Sequence, residues 1–231
     1  MLYIVATPIG NLDDISSRAL AVLREADVIA CEDTRRTRIL LSHFDIPKPR
    51  YIVSYREHTE QKAGKRLVGF LEEGMTVVLC SDGGYPGISD PAYRLIRMAV
   101  ENEVDFAVIP GASAVPVALL LSGLSTSSYT FKGYPPRKKG ALHRFFEEEK
   151  DLPHTLVIFE SPFRVIKSLE AAFEVLGDRQ AAVCIELTKK FERVSRGFLS
   201  ELCEEFADRK IKGEVTIVIA GNNPKFINLS A

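Results

Sequence analysis

Residues 81–91, SDGGYPGISDP, hold three glycines and two prolines in eleven positions, a density that neither helix nor strand tolerates. They lie between two patterned stretches. Upstream, Thr76-Val77-Val78-Leu79-Cys80 is β-branched at three of five positions, as in a buried strand. Downstream, Asp90-Pro91 reads as a helix start, an N-cap carboxylate ahead of a proline, and an amphipathic helix continues over 93–100. A loop that leaves the carboxyl end of a buried strand and feeds a helix is where open α/β sheets take ligands, because backbone N–H groups and the helix dipole face the crevice. Ordinary strand-to-helix turn chemistry accounts for this stretch equally well when it is taken alone.

The first half repeats this alternation. Strands are predicted at 2–6, 28–30, 51–53, 76–80 and 106–109, with helices at 16–26, 34–44, 58–72 and 93–100 between them. Such a rhythm predicts a mostly parallel sheet with helices on both faces. Pro110-Gly111 breaks the chain, Ser113 is placed to cap a helix running to Ser122, and 123–140 reads as a connector with a strand at 129–132. The rhythm then resumes, with helices at 141–149, 163–176 and 199–208 and strands at 155–159, 181–187, 193–197 and 214–220. The expectation is two α/β domains, residues 1–111 and 112–231, each with a central sheet flanked by helices, and a frayed tail from Asn222.

At 231 residues and 46% hydrophobic, the chain can bury cores for such domains. Its net charge of −1 leaves no global attraction for polyanions, so any nucleic-acid contact has to come from a local basic patch. Cys31, Cys80, Cys184 and Cys203 show no CxxC spacing, which points to reduced thiols and a cytoplasmic protein. The longest apolar run, 115–121, is interrupted by Pro116 and is too short to span a bilayer, so no membrane association is expected.

Several chemistries lack their signatures. There is no G-x-x-x-x-G-K-[ST], no G-x-G-x-x-G after a strand, no G-x-S-x-G and no H-E-x-x-H, and the four histidines are scattered. No Walker-type phosphate cradle, nicotinamide enzyme, serine hydrolase or metalloenzyme is predicted, and no metal is expected. What the chain does carry is a set of polar clusters just past its apolar strands. They are Thr7 to Asn11, Glu32 to Arg38, His58, the 81–91 loop, Pro110 to Ser113, Glu160 to Pro162 and Glu186 to Lys190. Each one alone is explained by turns and caps. Together they outline a crevice at the strand ends.

Seven segments, in this order, carry a family resemblance: ATPIGNLDDIS at 6–16, CEDTRRT at 31–37, SDGGYPGISDP, PGASAVPVALLLSGL at 110–124, FKGYPPRKK at 131–139, ESPFR at 160–164 and ELTKKFE at 186–192. The chain resembles the tetrapyrrole methylase superfamily over nearly its whole length, and within it the branch that methylates ribosomal RNA. Gly84-Tyr85 stands where that pattern has a smaller pair, and Ala92 where glycine is common. The resemblance implies an α/β protein of two domains with mixed sheets, S-adenosylmethionine held in a cleft between them, a homodimer, and 2′-O-methylation of a cytidine in the decoding region of 16S rRNA, free or within the small subunit.

The residues suit that cofactor, whose adenine, ribose diol and zwitterionic end call for backbone amides and small residues. Gly83, Gly84 and Gly87 allow close backbone approach beside Tyr85, and Asp82 can accept from a cofactor hydroxyl or amine. Ala112 and Ser113 offer N–H groups to a carboxylate, and Pro8, Phe159 and Leu187 offer apolar walls that core packing would explain as well. For RNA, the basic clusters are Arg35 and Arg38 with Arg36 between them, Arg137-Lys138-Lys139, and Lys189-Lys190, with Tyr134 and His58 available to stack on a base. Candidate general bases are Glu32, Asp33, His58 and Glu186, among which the sequence does not choose, and Arg36 is placed to steady a developing alkoxide. A carboxylate-rich tetrapyrrole substrate would also attract these cations, and a non-catalytic RNA-binding protein on the same fold is the other alternative.

Overall fold

The computed structural model describes residues 1–56, 58–89 and 92–227. Asp90-Pro91, the expected helix start, lies outside the described residues. The chain divides into two units, Met1–Ser113 and Ala114–Ala231.

The first unit strings together β1 (Leu2–Val5), α1 (Ser17–Arg24), β2 (Val28–Cys31), α2 (Thr34–His43), β3 (Tyr51–Ser54), α3 (Glu60–Glu72), β4 (Val77–Cys80), α4 (Tyr93–Glu101) and β5 (Phe106–Ile109). All its pairings are parallel, in the order β3-β2-β4-β1-β5. Strands β2 and β4, VIAC and VVLC, are buried at every residue because helices cover both faces of the sheet. Leu23, Leu40, Ile29 and Val78 pack on the α1 and α2 face, and Leu67, Leu71, Leu95 and Leu79 on the α3 and α4 face. Helices leaving neighbouring strands therefore diverge to opposite faces, which opens crevices at the carboxyl ends of β2, β4 and β1. Helix starts are fixed locally: the Ser16 hydroxyl accepts from the Ala19 N–H at 3.1 Å, and the Asp33 carboxylate from the Arg35 N–H at 2.9 Å.

The second unit holds α5 (Ala114–Ser122), β6 (Tyr129–Phe131), α6 (Lys139–Glu147), β7 (Thr155–Glu160), α7 (Val165–Leu176), β8 (Gln180–Ile185), β9 (Arg193–Phe198), α8 (Leu199–Phe206) and β10 (Val215–Ile219). Its sheet runs β6-β7-β10-β8-β9, and only β6 with β7 is parallel. The resumed alternation thus yields a mixed sheet, because the short 186–192 connection returns β9 directly against β8 as a hairpin. Helices α6, α7 and α8 bury Phe146, Leu169 and Phe206 against Ile158, Val183 and Ile217, while α5 packs against β8, β9 and β10. Arg179, 3% exposed, is reconciled with this core by donating to the carbonyls of Leu176, Ala220 and Lys150.

Of the tail expected to fray from Asn222, residues 222–227 are instead tied down, and 228–231 lie outside the described residues. The Asn222 N–H donates to the Leu152 carbonyl at 2.7 Å, a 3-10 turn spans Pro224–Phe226, and Ile227 bridges Arg179. The four cysteines are free thiols. Burial raises them all, Cys184 to about 12 and Cys203 to about 11, which keeps those two protonated at neutral pH. Among the described residues no helix is long and apolar enough to cross a membrane.

Candidate active site

At the carboxyl ends of β1, β4 and β5, three loops are tied into one assembly. Thr7 and Gly84 exchange backbone hydrogen bonds at 3.0 and 2.9 Å, an isolated antiparallel bridge between the loops after β1 and β4. The Thr7 hydroxyl donates to the Ser81 carbonyl at 3.2 Å, and the Ser81 hydroxyl to the Gly84 carbonyl at 3.1 Å. Gly84 and Gly87 sit at φ of 82° and 88°, in the left-handed region that a side chain resists. Gly83 lacks that constraint, and a Cβ there would meet the Pro8 carbonyl oxygen at 3.4 Å, in ordinary contact across the two loops. The third loop joins through Tyr85, whose hydroxyl accepts from the Gly111 N–H at 3.2 Å. The bulky residue that departs from the family pattern is thus a strut between the β4 and β5 loops. Of the expected cofactor residues, Pro8, Asp82, Gly83, Gly84, Tyr85 and Gly87 belong to this assembly, Ala112 has its carbonyl oxygen 3.7 Å from where a Gly84 Cβ would be, and Ser113 immediately precedes α5.

Beside it, between β2 and β4, lies a charged cluster. The Asp33 N–H donates to Asp82 Oδ1 at 3.0 Å, the Asp82 N–H to Glu32 Oε1 at 3.4 Å, and Arg36 Nη1 stands 3.7 Å from Asp82 Oδ2. Arg35 grips Asp33 with both Nε, at 3.1 Å, and Nη2, at 2.7 Å. Those hydrogen bonds from the Arg35 side chain and backbone hold the Asp33 carboxyl far below the usual carboxylate range, which makes it a poor acceptor for a hydroxyl proton. Glu32 keeps its carboxylate toward Asp82, while its carbonyl accepts from Arg56 Nε at 2.8 Å. Arg38 and His58 are exposed, in α2 and in the turn before α3. Arg56 was not among the residues expected here, although it follows β3 as Glu32 follows β2, and that parallel placement was its only signal.

The remaining expected residues belong to the second unit. Phe159 meets Phe131 and Tyr134 edge-on, with ring centroids 4.8 and 5.7 Å away. Burial, with the charges of Glu214 and Glu160 behind it, raises the Tyr134 hydroxyl. Leu187 is buried between Glu186 and Thr188, both at positive φ. Lys189 Nζ lies 2.7 Å from Glu186 and 2.9 Å from Glu214, so it is committed to ion pairs, whereas Lys190 rides over the Phe191 ring at 5.7 Å. Arg137 and Lys138 precede α6 and Lys139 begins it, all three exposed. Their loop is held from behind: Arg164 donates to the Pro135 and Pro136 carbonyls at 3.2 and 2.8 Å, and fully buried Glu160 backs Arg164 at 3.4 Å.

Partial burial alone would raise the Glu186 carboxyl, but Lys189 and the Glu214 N–H outweigh it and hold the group below its ordinary value. A depressed carboxylate stabilises the fold above its unfolded pKa, and that contribution disappears as pH falls through the folded one. Glu186→Gln is therefore expected to lower Tm at neutral pH and to leave Tm less dependent on pH through the carboxylate range, read from melting curves across the acid range. An unaltered profile would remove Lys189 as its stabilising partner.

The sequence profile of the Tetrapyrrole (Corrin/Porphyrin) Methylases matches residues 1–203. The chain belongs to this family. A relative from Halalkalibacterium halodurans named Ribosomal RNA small subunit methyltransferase I is 46% identical over 97% of this chain and 77% of its own length. One of the same name from Thermotoga maritima is 40% identical over 95% of this chain and 98% of its own. Among solved structures, uroporphyrin-III C-methyltransferase from Thermus thermophilus, complexed with S-adenosyl homocysteine, superimposes with a TM-score of 0.65 at 19% identity, covering 95% of this chain and 96% of that one. That likeness shows the fold.

Proposed function

We propose that this methylase transfers a methyl group from S-adenosylmethionine to small-subunit ribosomal RNA, at the ribose 2′-hydroxyl of a cytidine in the decoding region of 16S rRNA. What carries the reading is the 46% identity, across 97% of the chain, to a relative named for small-subunit rRNA methylation. A structural neighbour holds the demethylated cofactor. The residues here fit such a group: Gly84 and Gly87 hold the 81–87 loop in left-handed backbone that a side chain resists, bare backbone at Gly83 lies against the Pro8 loop, and Asp82 presents a carboxylate beside that glycine. Pro8, Asp82 to Tyr85, Gly87, Ala112 and Ser113 would hold it.

When bound, the cofactor supplies an activated methyl on a sulfonium, with a neutral thioether as leaving group. The chain's task is to align a ribose hydroxyl and remove its proton. Glu32, whose carboxylate reaches the Asp82 N–H at 3.4 Å, suits proton removal better than Asp33, which is tied to Arg35; His58 and Glu186 are the other candidates. Arg36, across from Asp82, is placed to offset negative charge growing on the oxygen. Arg38, Tyr134, Arg137, Lys138, Lys139 and Lys190 are the residues proposed to contact RNA, joined by Arg35 and Lys189 where RNA phosphates compete with their ion pairs to Asp33 and to Glu186 and Glu214. We place the protein in the cytoplasm as a homodimer, for which light scattering is expected to give twice the chain mass of 25.7 kDa; a stable, active monomer would overturn the dimer.

The test is methyl transfer from radiolabelled S-adenosylmethionine to 16S rRNA, to assembled small subunits and to a uroporphyrin, followed by nuclease digestion. Label in 2′-O-methylcytidine is expected. Label in the uroporphyrin alone would move the protein to tetrapyrrole chemistry, and no heat on titrating the cofactor would make it a binding protein.

A further inference from the structure

In the second unit, Arg137 and Lys139 line a hollow of about 290 Å³ together with Lys167 and Arg164 from the start of α7, His143 and Leu142 from α6, and carboxylates further along α7. Not all of that charge is available. Arg164 is spent on the Pro135 and Pro136 carbonyls and on Glu160, and His143 Nε2 faces Glu174 at 3.3 Å. Arg137, Lys139 and Lys167 are different: among the described residues none of the three has an ion-pair partner. Three unpaired cations from two elements converge on one concavity. The hollow also lies at the first turn of nine-residue α6, where the N-cap Lys138 makes no side-chain cap bond and a Cβ at Gly140 would find nothing nearer than Arg144 at 3.9 Å. Open backbone at a helix start adds partial positive charge to the same spot.

We infer that this hollow seats a backbone phosphate of the RNA substrate, with Lys167 as its cation from α7, an inference that rests on the rRNA reading above. Tyr134 stands three residues before Arg137, 59% exposed and supported edge-on by Phe159, so a base face and a phosphate seat lie along one short segment. The Glu160–Arg164 clamp on Pro135 and Pro136 fixes where that segment ends and hence where Arg137 enters the hollow. A merely solvated basic loop would need neither the clamp nor a cation from a second helix.

Lys167 is exposed, so its replacement leaves the core intact. Lys167→Ala is expected to weaken binding of a labelled decoding-region RNA oligonucleotide about tenfold at low salt, and to reduce the slope of log affinity against log salt by about 1. Lys167→Glu should weaken it further, while cofactor affinity by calorimetry stays at the wild-type value. Lys210→Ala, removing an exposed lysine outside the hollow, is the charge-matched comparison and should bind as wild type. Wild-type protein that methylates RNA, paired with a Lys167→Ala variant of unchanged affinity and slope, overturns the phosphate seat and leaves the function standing. Failure of the wild type to bind or methylate RNA overturns both. Inorganic phosphate forms the second arm: heat that disappears in Lys167→Ala while RNA affinity is unmoved would make the hollow a free-anion site and overturn the RNA assignment.

Discussion

Valine in place of Gly83 is expected to abolish S-adenosylmethionine binding while leaving the fold intact, a loss of about a hundredfold or more in affinity, roughly 3 kcal/mol. The choice of position follows from backbone geometry. Gly84 and Gly87 lie at positive φ, where a β-branched residue costs on the order of 1–2 kcal/mol and would report on loop strain as much as on the ligand. Gly83 lacks that constraint, and its Cβ would stand 3.4 Å from the Pro8 carbonyl oxygen and 3.6 Å from Ile9 Cα, at the edge of ordinary contact. The two methyls of valine would then occupy the surface where loops 7–9 and 81–85 meet. Calorimetry with the cofactor and a circular-dichroism melt decide the matter together. Wild-type affinity in a variant of unchanged Tm would remove the 81–91 loop from the cofactor site.

The parallel first sheet was legible in the alternation of strand and helix patterns, and β2 and β4, apolar at every position, suit strands covered on both faces. In the second unit the same alternation of patterns led to the helices and strands but not to their pairing. Whether β9 turns back on β8 depends on the 186–192 connection, where Glu186 and Thr188 take left-handed φ without being glycine, and local composition gives no hint of that. The expected strand to 187 accordingly ends at Ile185, and Leu187 becomes a buried turn residue. The loop assembly was visible in outline, since each loop follows a strand. Its fastening was not. The Thr7–Gly84 bridge and the Tyr85–Gly111 hydrogen bond join residues far apart in sequence, and Arg164 and Lys167 acquire their roles only when α7 is laid against the 133–139 segment.

Arg36→Ala is expected to lower single-turnover methyl transfer about a hundredfold while moving RNA affinity little, the pattern of a group whose interaction strengthens in the transition state. The reason is position: of the three arginines at the start of α2, Arg36 is the one facing Asp82, at 3.7 Å, and Asp82 is fixed in turn by the Asp33 N–H and donates its own N–H to Glu32. Arg35 is committed to Asp33, and Arg38 is exposed a turn further along. Arg38→Ala should therefore show the opposite division, weaker RNA binding that added salt reproduces in the wild type and no change in cofactor affinity. Arg36→Lys separates charge from shape, because an ammonium restores a point charge without the planar fork; partial recovery of the rate would support an electrostatic role. If Arg36 only decorates the helix start, its pair with Asp82, more than half exposed on the arginine side, contributes less than about 1 kcal/mol of stability and the rate stays put. Wild-type turnover in Arg36→Ala and wild-type salt dependence in Arg38→Ala would together remove this cluster from the reaction and return Glu32 and Asp33 to the role of helix-start partners.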